Sequence, residues 1–227
     1  DLHRRRHSFP TRRSSDLIGL AHGSRRRVTR RIVCGLACAL TVSSLLMPSV
    51  SLAAEWVDVG GVRHEAAAGP AGDAAGTWAW DGADDMKLNG YNGGAIQAAG
   101  KLNVSYEGNN TVTNGDGRGI KVKDGANENA ELNIQGDASS TLNVSSSRDA
   151  ITSVGNINID GAGSVRLRDI AATVTTIDAS KNTGGVDVHI DAGTALAVTF
   201  TGGTGDDQIR MENTLTTQDV IDGGAGR

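Results

Sequence analysis

The chain has 227 residues with 31 glycines, two cysteines and 3% aromatic residues, and its formal net charge is −4. Ten of the 22 basic residues but only two of the 26 acidic ones precede residue 54, so the remainder carries 12 basic against 24 acidic residues. This acidic remainder excludes nucleic acid as an expected partner, because phosphate binding needs a cationic surface, and its lack of cysteine excludes disulfide bonds.

The first 27 residues are not typical of a natural protein. The run His7–Leu17 resembles the in-frame translation of a sequencing-library adapter. The first methionine is Met47, so Val28 is our candidate for a non-standard start. We therefore expect residues 1–27 to be artefact or untranslated sequence.

Residues 28–54 have the pattern of a cleaved bacterial export signal. A basic leader, Thr29-Arg30-Arg31, precedes an apolar and uncharged stretch over residues 32–47, and the small residues around Ala53 offer a cleavage site. The apolar stretch is short for a membrane span, so no transmembrane segment is expected after cleavage. Both cysteines lie inside this segment, which argues against a metal or redox role. The pattern predicts a secreted or cell-surface protein whose N-terminal region is disordered or a signal helix.

The next two segments have different compositions. Residues 55–76 are rich in alanine and glycine, so we expect a loose linker there. Trp78 and Trp80 then alternate as on a strand, and we expect their rings to cover the end of a stack of strands. The alternative is that one of these rings forms a sugar-stacking platform with Tyr91.

A recurring spacing of aliphatic residues predicts the fold of residues 77–200. The three series are Ile96, Leu102, Val112; Ile120, Leu132, Leu142; and Ile151, Ile157, Leu167. The offsets agree between the first and third series, and the second differs by one insertion, as expected when successive windings place apolar residues in register. We predict an all-β fold, specifically a parallel β-solenoid of the right-handed β-helix type. Tandem β-sandwich domains are the alternative.

Short alternating triplets such as Leu102-Asn103-Val104 should form the strands of this fold, with the aliphatic residues inward and the middle residue outward. The expected outward row comprises Asn103, Ser105, Asn133, Gln135, Asn158 and Asp160. Such a row either is a solvated strand face or binds sugar hydroxyls. For a sugar site we select Asn103, Asn133 and Asn158, with Tyr91 and Tyr106 as stacking rings.

The segment from Gly202 to Arg210 matches the pattern G-G-x-G-x-D-x-U-x at every defined position. It resembles the calcium-binding repeat of the RTX (repeats-in-toxin) proteins, and residues 222–226 look like the start of a second copy. The resemblance implies a Ca²⁺ site in residues 201–227, which we interpret as the start of a truncated repeat region. The implied ligands are Asp207, Asp206 and Asp222, with the carbonyls of Gly203 and Gly205. The alternative is a glycine-rich corner that binds no metal.

Two further resemblances set the functional expectation. Residues 177–226 resemble bacterial β-strand-repeat surface proteins, and residues 78–96 with the following windings resemble secreted carbohydrate-binding β-helix proteins. RTX toxins usually lack an N-terminal signal, so a pore-forming toxin is disfavoured. We expect a calcium-stabilised structural or adhesive protein of the cell surface that contacts extracellular glycans or a host or matrix surface. A carbohydrate-binding module is the alternative.

An enzyme is not expected. A polysaccharide lyase is our third hypothesis, because such enzymes use a cluster of acidic and basic residues similar to Asp81, Asp84, Asp85 and Lys87. No residue in the predicted windings is an evident partner for this cluster. His64 and His189 stand isolated in the sequence, without the spacing of a catalytic triad or a metal site.

Overall fold

The computed structural model describes residues 53–123, 130–152, 155–190 and 197–226, which belong to one compact unit. Residues 1–52, which hold the adapter-like segment and nearly all of the predicted export signal, lie outside the described residues. Within the described ranges no helix is long and apolar enough to cross a membrane.

The described residues form strands and one short 3₁₀ helix, Ala66–Ala68. The strands are β1 (Trp56–Val59), β2 (Val62–Glu65), β3 (Ala71–Gly72), β4 (Trp78–Trp80), β5 (Asp85–Asn89), β6 (Asn92–Gly93), β7 (Ile96–Ala99), β8 (Leu102–Glu107), β9 (Asn109–Asn114), β10 (Ile120–Val122), β11 (Leu132–Gly136), β12 (Thr141–Ser146), β13 (Ile151–Thr152), β14 (Asn156–Gly161), β15 (Ser164–Ile170), β16 (Thr176–Asn182), β17 (Val186–Ile190), β18 (Thr199–Thr201), β19 (Gln208–Arg210) and β20 (Val220–Asp222).

These strands build two mixed sheets. The first has 11 strands in the order β2-β1-β7-β10-β13-β15-β12-β9-β6, with β17 paired to β15 and β19 paired to β17. The second has nine strands in the order β20-β18-β16-β14-β11-β8-β5-β4-β3. Pairing is antiparallel only among β1 to β5 and β7, and parallel in the other described pairs. The prediction of an all-β fold is confirmed.

Two of the three predicted aliphatic rows are in register. Ile96 and Ile151 both pair with Ile120, and Leu102 and Ile157 both pair with Leu132. All of these side chains are fully buried. Full burial of an aliphatic side chain contributes about 1.5–3 kcal/mol to stability. The residues of these two rows therefore contribute to the hydrophobic core.

The third row differs from the prediction by two residues. Val112 pairs with Val144, which pairs in turn with Leu167, whereas Leu142 pairs with Asn110 and Val165. A shift of two residues keeps every side chain on the same face of a strand. Sequence alternation therefore could not distinguish Leu142 from Val144.

Residues 55–76 are not a linker. Strands β1 and β2 form an antiparallel hairpin that adds to β7, and β3 adds to β4. Val57 and Val59 are buried in the core, and Gly60 and Gly61 take positive φ at the hairpin turn. The sequence analysis missed β1 because its alternation is only four residues long and lies in a segment rich in alanine and glycine.

The nonapeptide region also belongs to the same two sheets. Strand β19 pairs in parallel with β17, and β20 pairs in parallel with β18. Strand β18 runs from Thr199 to Thr201 and so crosses the limit predicted between the windings and the repeat region. The boundary predicted near residue 200 is therefore not a boundary in the sheets.

Candidate functional site

A row of amide side chains runs along the outer face of the second sheet, which we call the asparagine row. It consists of Asn103 on β8, Asn133 on β11 and Asn158 on β14, which are direct partners in the parallel pairs. The row continues to Asp85 on β5 and to Asp178 on β16. The structure thus brings together the three asparagines predicted as ligand residues.

The asparagine row is hydrogen-bonded in one direction. Nδ2 of Asn158 donates to Oδ1 of Asn133 at 2.7 Å, and Nδ2 of Asn133 donates to Oδ1 of Asn103 at 2.8 Å. Nδ2 of Asn103 donates to the carboxylate of Asp85 at 2.7 Å. Each amide donates to the residue on the preceding strand in the row, so the series ends at the carboxylate of Asp85. The negative charge of this carboxylate strengthens its hydrogen bond with Asn103.

Two adjoining grooves follow this row. One has a volume of about 360 Å³ and extends from Asp85 to Asn133, and the other, of about 410 Å³, extends from Asn133 to Asp178. They share Asn133 and Gln135, so they form one continuous surface, which we call the row groove. The side chains that line it outward are amides, hydroxyls, carboxylates and one lysine, Lys181. Such a surface can bind ligands rich in hydroxyl or amino groups.

The tyrosines predicted to stack on a sugar are in the core. Tyr91 is 5% exposed and Tyr106 is 1% exposed. Their hydroxyls donate to the carbonyls of Gly94 and Ser164, and burial raises the pKa of both groups. The prediction that they contact a ligand is wrong, because each ring fills the interior of the stack.

Trp78 and Trp80 are also buried, which contradicts a sugar platform made by either ring. They alternate with the exposed Ala79 on β4, and Nε1 of Trp80 donates to the carbonyl of Ala83 at 3.0 Å. Strand β4 lies next to the terminal strand β3 of its sheet. This position agrees with the predicted covering of the end of the strand stack.

Three of the predicted calcium ligands, Asp207, Asp222 and Gly203, accept hydrogen bonds from the backbone. The carboxylate of Asp207 accepts the N–H groups of Gly203 at 2.7 Å and of Val186 at 2.9 Å, and the carbonyl of Gly203 accepts the N–H of Ala225. Asp222 accepts the N–H of Gly224 at 2.9 Å. Calcium prefers six to eight oxygen ligands, and these groups are directed at N–H donors. A Ca²⁺ site at these oxygens stays a prediction, and the ion would have to share them with the backbone N–H groups that they accept.

Close backbone stacking explains the glycines of this segment. A Cβ on Gly203 would lie 1.9 Å from the carbonyl oxygen of Asn182, and one on Gly205 would lie 2.2 Å from the amide nitrogen of Gly185. The N–H of Thr204 donates to the same Asn182 carbonyl at 3.0 Å. The glycines at these two positions allow one corner to lie directly against the preceding one.

Asn182 is a structural residue of this corner, and the sequence indicates it only as part of a turn with Gly184 and Gly185. Its side chain is fully buried, and its Oδ1 accepts the N–H groups of Gly184 and Gly185. Its Nδ2 donates to the carbonyl of Gly163 in the preceding corner. The only available signal was an asparagine two residues before a glycine pair, which also occurs in exposed turns.

One group of side chains in the described ranges has the geometry to hold a metal ion. The carboxylates of Asp81, Asp84 and Asp85 can place one oxygen each within 4.8 Å of one another. Asp81 also accepts the N–H groups of Ala83 and Asp85. These are the acidic residues of the lyase hypothesis. Lys87, its basic member, instead donates to Glu107 at 2.7 Å.

His189 is not isolated, contrary to the sequence analysis. Its Nδ1 lies 2.8 Å from a carboxylate oxygen of Asp169, and its Nε2 lies 2.9 Å from one of Glu212. Both acidic residues have positive φ. Asp169 lies on β15 and Glu212 lies in the turn after β19, so His189 on β17 contacts a carboxylate on each side of its strand. His64 lies against the ring of Trp78, with centroids 5.1 Å apart.

Comparisons with protein families, curated proteins and solved structures found no match for this chain. The functional argument therefore depends on the geometry of the described residues.

Proposed function

We propose that this chain is a secreted or cell-surface bacterial protein with a structural or adhesive, non-enzymatic role, built as a right-handed parallel β-solenoid. The observation that carries the proposal is the parallel register of successive strands, with Ile96, Ile120 and Ile151 in one row and Leu102, Leu132 and Ile157 in another. Crossovers between parallel strands are right-handed in nearly all proteins.

Extended stacks of this kind suit a surface role. Each added layer lengthens the protein along one axis and repeats the same outer faces, so a ligand contact can be repeated without a separate pocket. The outer face of the second sheet has this property in the asparagine row. An acidic surface outside the cell also supports the proposal, because it keeps an extended protein soluble.

Export and adhesion test this proposal together. The full chain, expressed in a bacterial host with a C-terminal epitope, should be recovered outside the cytoplasm and should shorten on export by the length of the predicted signal. Cells that display it should adhere to glycan-coated or matrix-coated surfaces better than cells carrying an empty vector. Retention of the unprocessed chain in the cytoplasm would contradict the secreted role.

A carbohydrate-binding module is the second candidate, favoured by the continuous polar groove over Asn103, Asn133 and Asn158. Binding to soluble oligosaccharides without any gain in cell adhesion would favour it over the adhesive role. A polysaccharide lyase is the third candidate. Release of unsaturated sugars from a polysaccharide by the full chain, and its loss in Asp81→Asn, would replace the non-enzymatic proposal.

Calcium stabilisation remains part of the proposal, on the resemblance of the nonapeptide and the presence of three close carboxylates. Addition of calcium to the full chain should raise its melting temperature, because a ligand that binds only the folded state stabilises it. Loss of the rise in Asp84→Asn would assign the ion to the cluster of Asp81, Asp84 and Asp85. Its loss in Asp207→Asn would assign it to the nonapeptide, and no rise in the wild type would remove calcium from the proposal.

A further inference from the structure

We propose that the row groove binds a linear glycan that carries free amino groups, with the chain of the glycan lying along the asparagine row. This inference rests on the proposed adhesive function and names its ligand class. Three features of the row groove support it, namely the spacing of its amides, its charge and the open acceptor end of the hydrogen-bonded row.

The spacing of the amides matches a sugar polymer. Asn103, Asn133 and Asn158 stand on adjacent parallel strands, and neighbouring strands lie about 4.8 Å apart. This distance is close to the length of one pyranose residue. A linear glycan that runs across the strands can therefore present one sugar to each amide. Among the described residues Asn103 and Asn133 each use one N–H in the row, so the other can donate to a sugar hydroxyl, whereas Asn158 uses both and offers only its oxygen.

The charge of the row groove favours a cationic ligand. Its lining includes the carboxylates of Asp85, Glu131, Asp160 and Asp178 and one ammonium group, that of Lys181. Hydrogen bonds from the hydroxyl and the N–H of Ser180 lower the pKa of Asp178, so this carboxylate is ionised at neutral pH. Amino groups on a glycan gain from these charges, whereas a uronic acid polymer is repelled.

The acceptor end of the asparagine row indicates where an amino group contacts the protein. Asn158 and Asp178 are partners in the parallel pair of β14 and β16, and both line the same groove. Nδ2 of Asn158 is engaged by Asn133 and Glu131, so within the described chain the Asn158 amide gives Asp178 no donor. An ammonium or hydroxyl group placed between the two residues could donate to both, in addition to the hydrogen bonds that Asp178 accepts from Ser180.

A glycan suits this surface better than a peptide does. Protein interfaces are anchored by aromatic and aliphatic side chains in a desolvated centre. In the row groove the aliphatic residues Val104, Ile134 and Ile159 are at most 1% exposed, because they face the core. The side chains available outward are polar, and these bind through several hydrogen bonds rather than through apolar anchors.

Calorimetric titration of the full chain tests the inference, with oligomers of glucosamine, N-acetylglucosamine and galacturonate as probes. The glucosamine oligomer should bind, and the other two should bind at least tenfold more weakly. Asn133→Ala interrupts the row and should weaken binding about tenfold, in line with loss of one or two hydrogen bonds. Asp178→Asn, at a solvated position that does not threaten folding, should also weaken it several-fold, and added salt should weaken binding to the wild type.

Asn143→Ala is the matched control. Asn143 occupies the middle of Leu142-Asn143-Val144 on the first sheet, as Asn133 does between Leu132 and Ile134 on the second. Removal of Asn143 should leave the affinity unchanged. An equal loss in both variants, equal binding of the N-acetylated oligomer, equal binding of a lysine peptide of the same charge, or no heat with any probe would overturn the inference. The proposed function fails separately, if export and cell adhesion of the wild type are absent.

Discussion

The two ends of the strand stack are built by different means. At the N-terminal end, antiparallel strands lie beside the parallel ones, and large rings such as Trp80 fill the space beneath them. At the C-terminal end, β18 and β20 continue the parallel pairing, and the buried row that contains Phe200 ends at Ile221, which is 40% exposed. The first end is closed by side-chain volume, whereas close backbone contact at glycine corners dominates the second.

This difference predicts that the two ends respond differently to substitutions that remove side-chain volume and to substitutions that add it. A layer held by a large side chain loses stability when that side chain is shortened, because a cavity forms. A layer held by a glycine corner loses stability when a single methyl group is added, because the neighbouring backbone has no room. The N-terminal end should therefore lose stability when side chains become smaller, and the glycine corner should lose it when side chains become larger.

The largest effect is expected at the closed end. Trp80→Ala removes a ring that is 1% exposed and should lower the free energy of unfolding by about 3–5 kcal/mol, measured by chemical denaturation. Trp56→Ala is the control, since this ring is half-buried and lies 3.7 Å beneath the guanidinium of Arg63. Its loss should cost about 1 kcal/mol. Equal losses in the two variants would mean that Trp80 does not close the stack.

A smaller but still large effect is expected at the glycine corner. Gly203→Ala forces a methyl group against the carbonyl of Asn182 and should lower the free energy of unfolding by about 3 kcal/mol. Gly223→Ala, at the start of the second copy of the motif, provides a control, because no atom lies within 4 Å of its added Cβ. Its stability should stay within about 0.5 kcal/mol of the wild type. If Gly203→Ala is tolerated as well as Gly223→Ala, close stacking does not hold this corner together.

The smallest effect concerns pH, and it compares one aspartate at each end. A hydrogen bond from the Thr77 side chain lowers the pKa of Asp73, and one from the N–H of Val198 lowers the pKa of Asp219. Each carboxylate therefore stabilises the fold at pH values above 3.8, the ordinary pKa of aspartate. This contribution disappears as the pH falls through the lower pKa of the folded state.

Asp73→Asn and Asp219→Asn should each reduce stability at neutral pH and flatten its loss in acid, as followed by melting temperature against pH. Near-ultraviolet dichroism, which reports the rings of Trp78 and Trp80, should respond to Asp73→Asn and little to Asp219→Asn. An unchanged acid slope in either variant would show that its carboxylate does not hold the adjacent backbone.

The pattern of single residues predicted much of the fold. The alternation in Leu102-Asn103-Val104 gave the strand and its faces, because burial of one face requires period two. The alignment of Ile96 with Ile120 followed from equal spacing. The pairing of Val144 with Val112 could not be predicted, because a shift by two residues leaves the pattern of buried and exposed positions unchanged.

The candidate site was only partly predictable. The outward position of Asn133 followed from alternation, and its alignment with Asn103 followed from the row of Leu132. Tyr91 was misassigned because a ring with one polar atom satisfies either a core or a ligand site, and only its hydrogen bond to Gly94 distinguishes the two. The contact of His189 with Asp169 was not predictable, since a shift of register in β15 places Asp169 there.

The sequence by itself determined that the protein is all-β, which aliphatic residues of the alternating triplets face inward, and that asparagines recur on one face. These properties depend on local alternation and on repeated spacing, which are present in any one segment of the chain. The tertiary structure decided which residues meet, including the direction of the asparagine row and the role of Asp207 as a backbone acceptor. The bonds of Asn133 to Asn103 and of Val186 to Asp207 join residues 30 and 21 positions apart, and their geometry is set by how neighbouring strands pair.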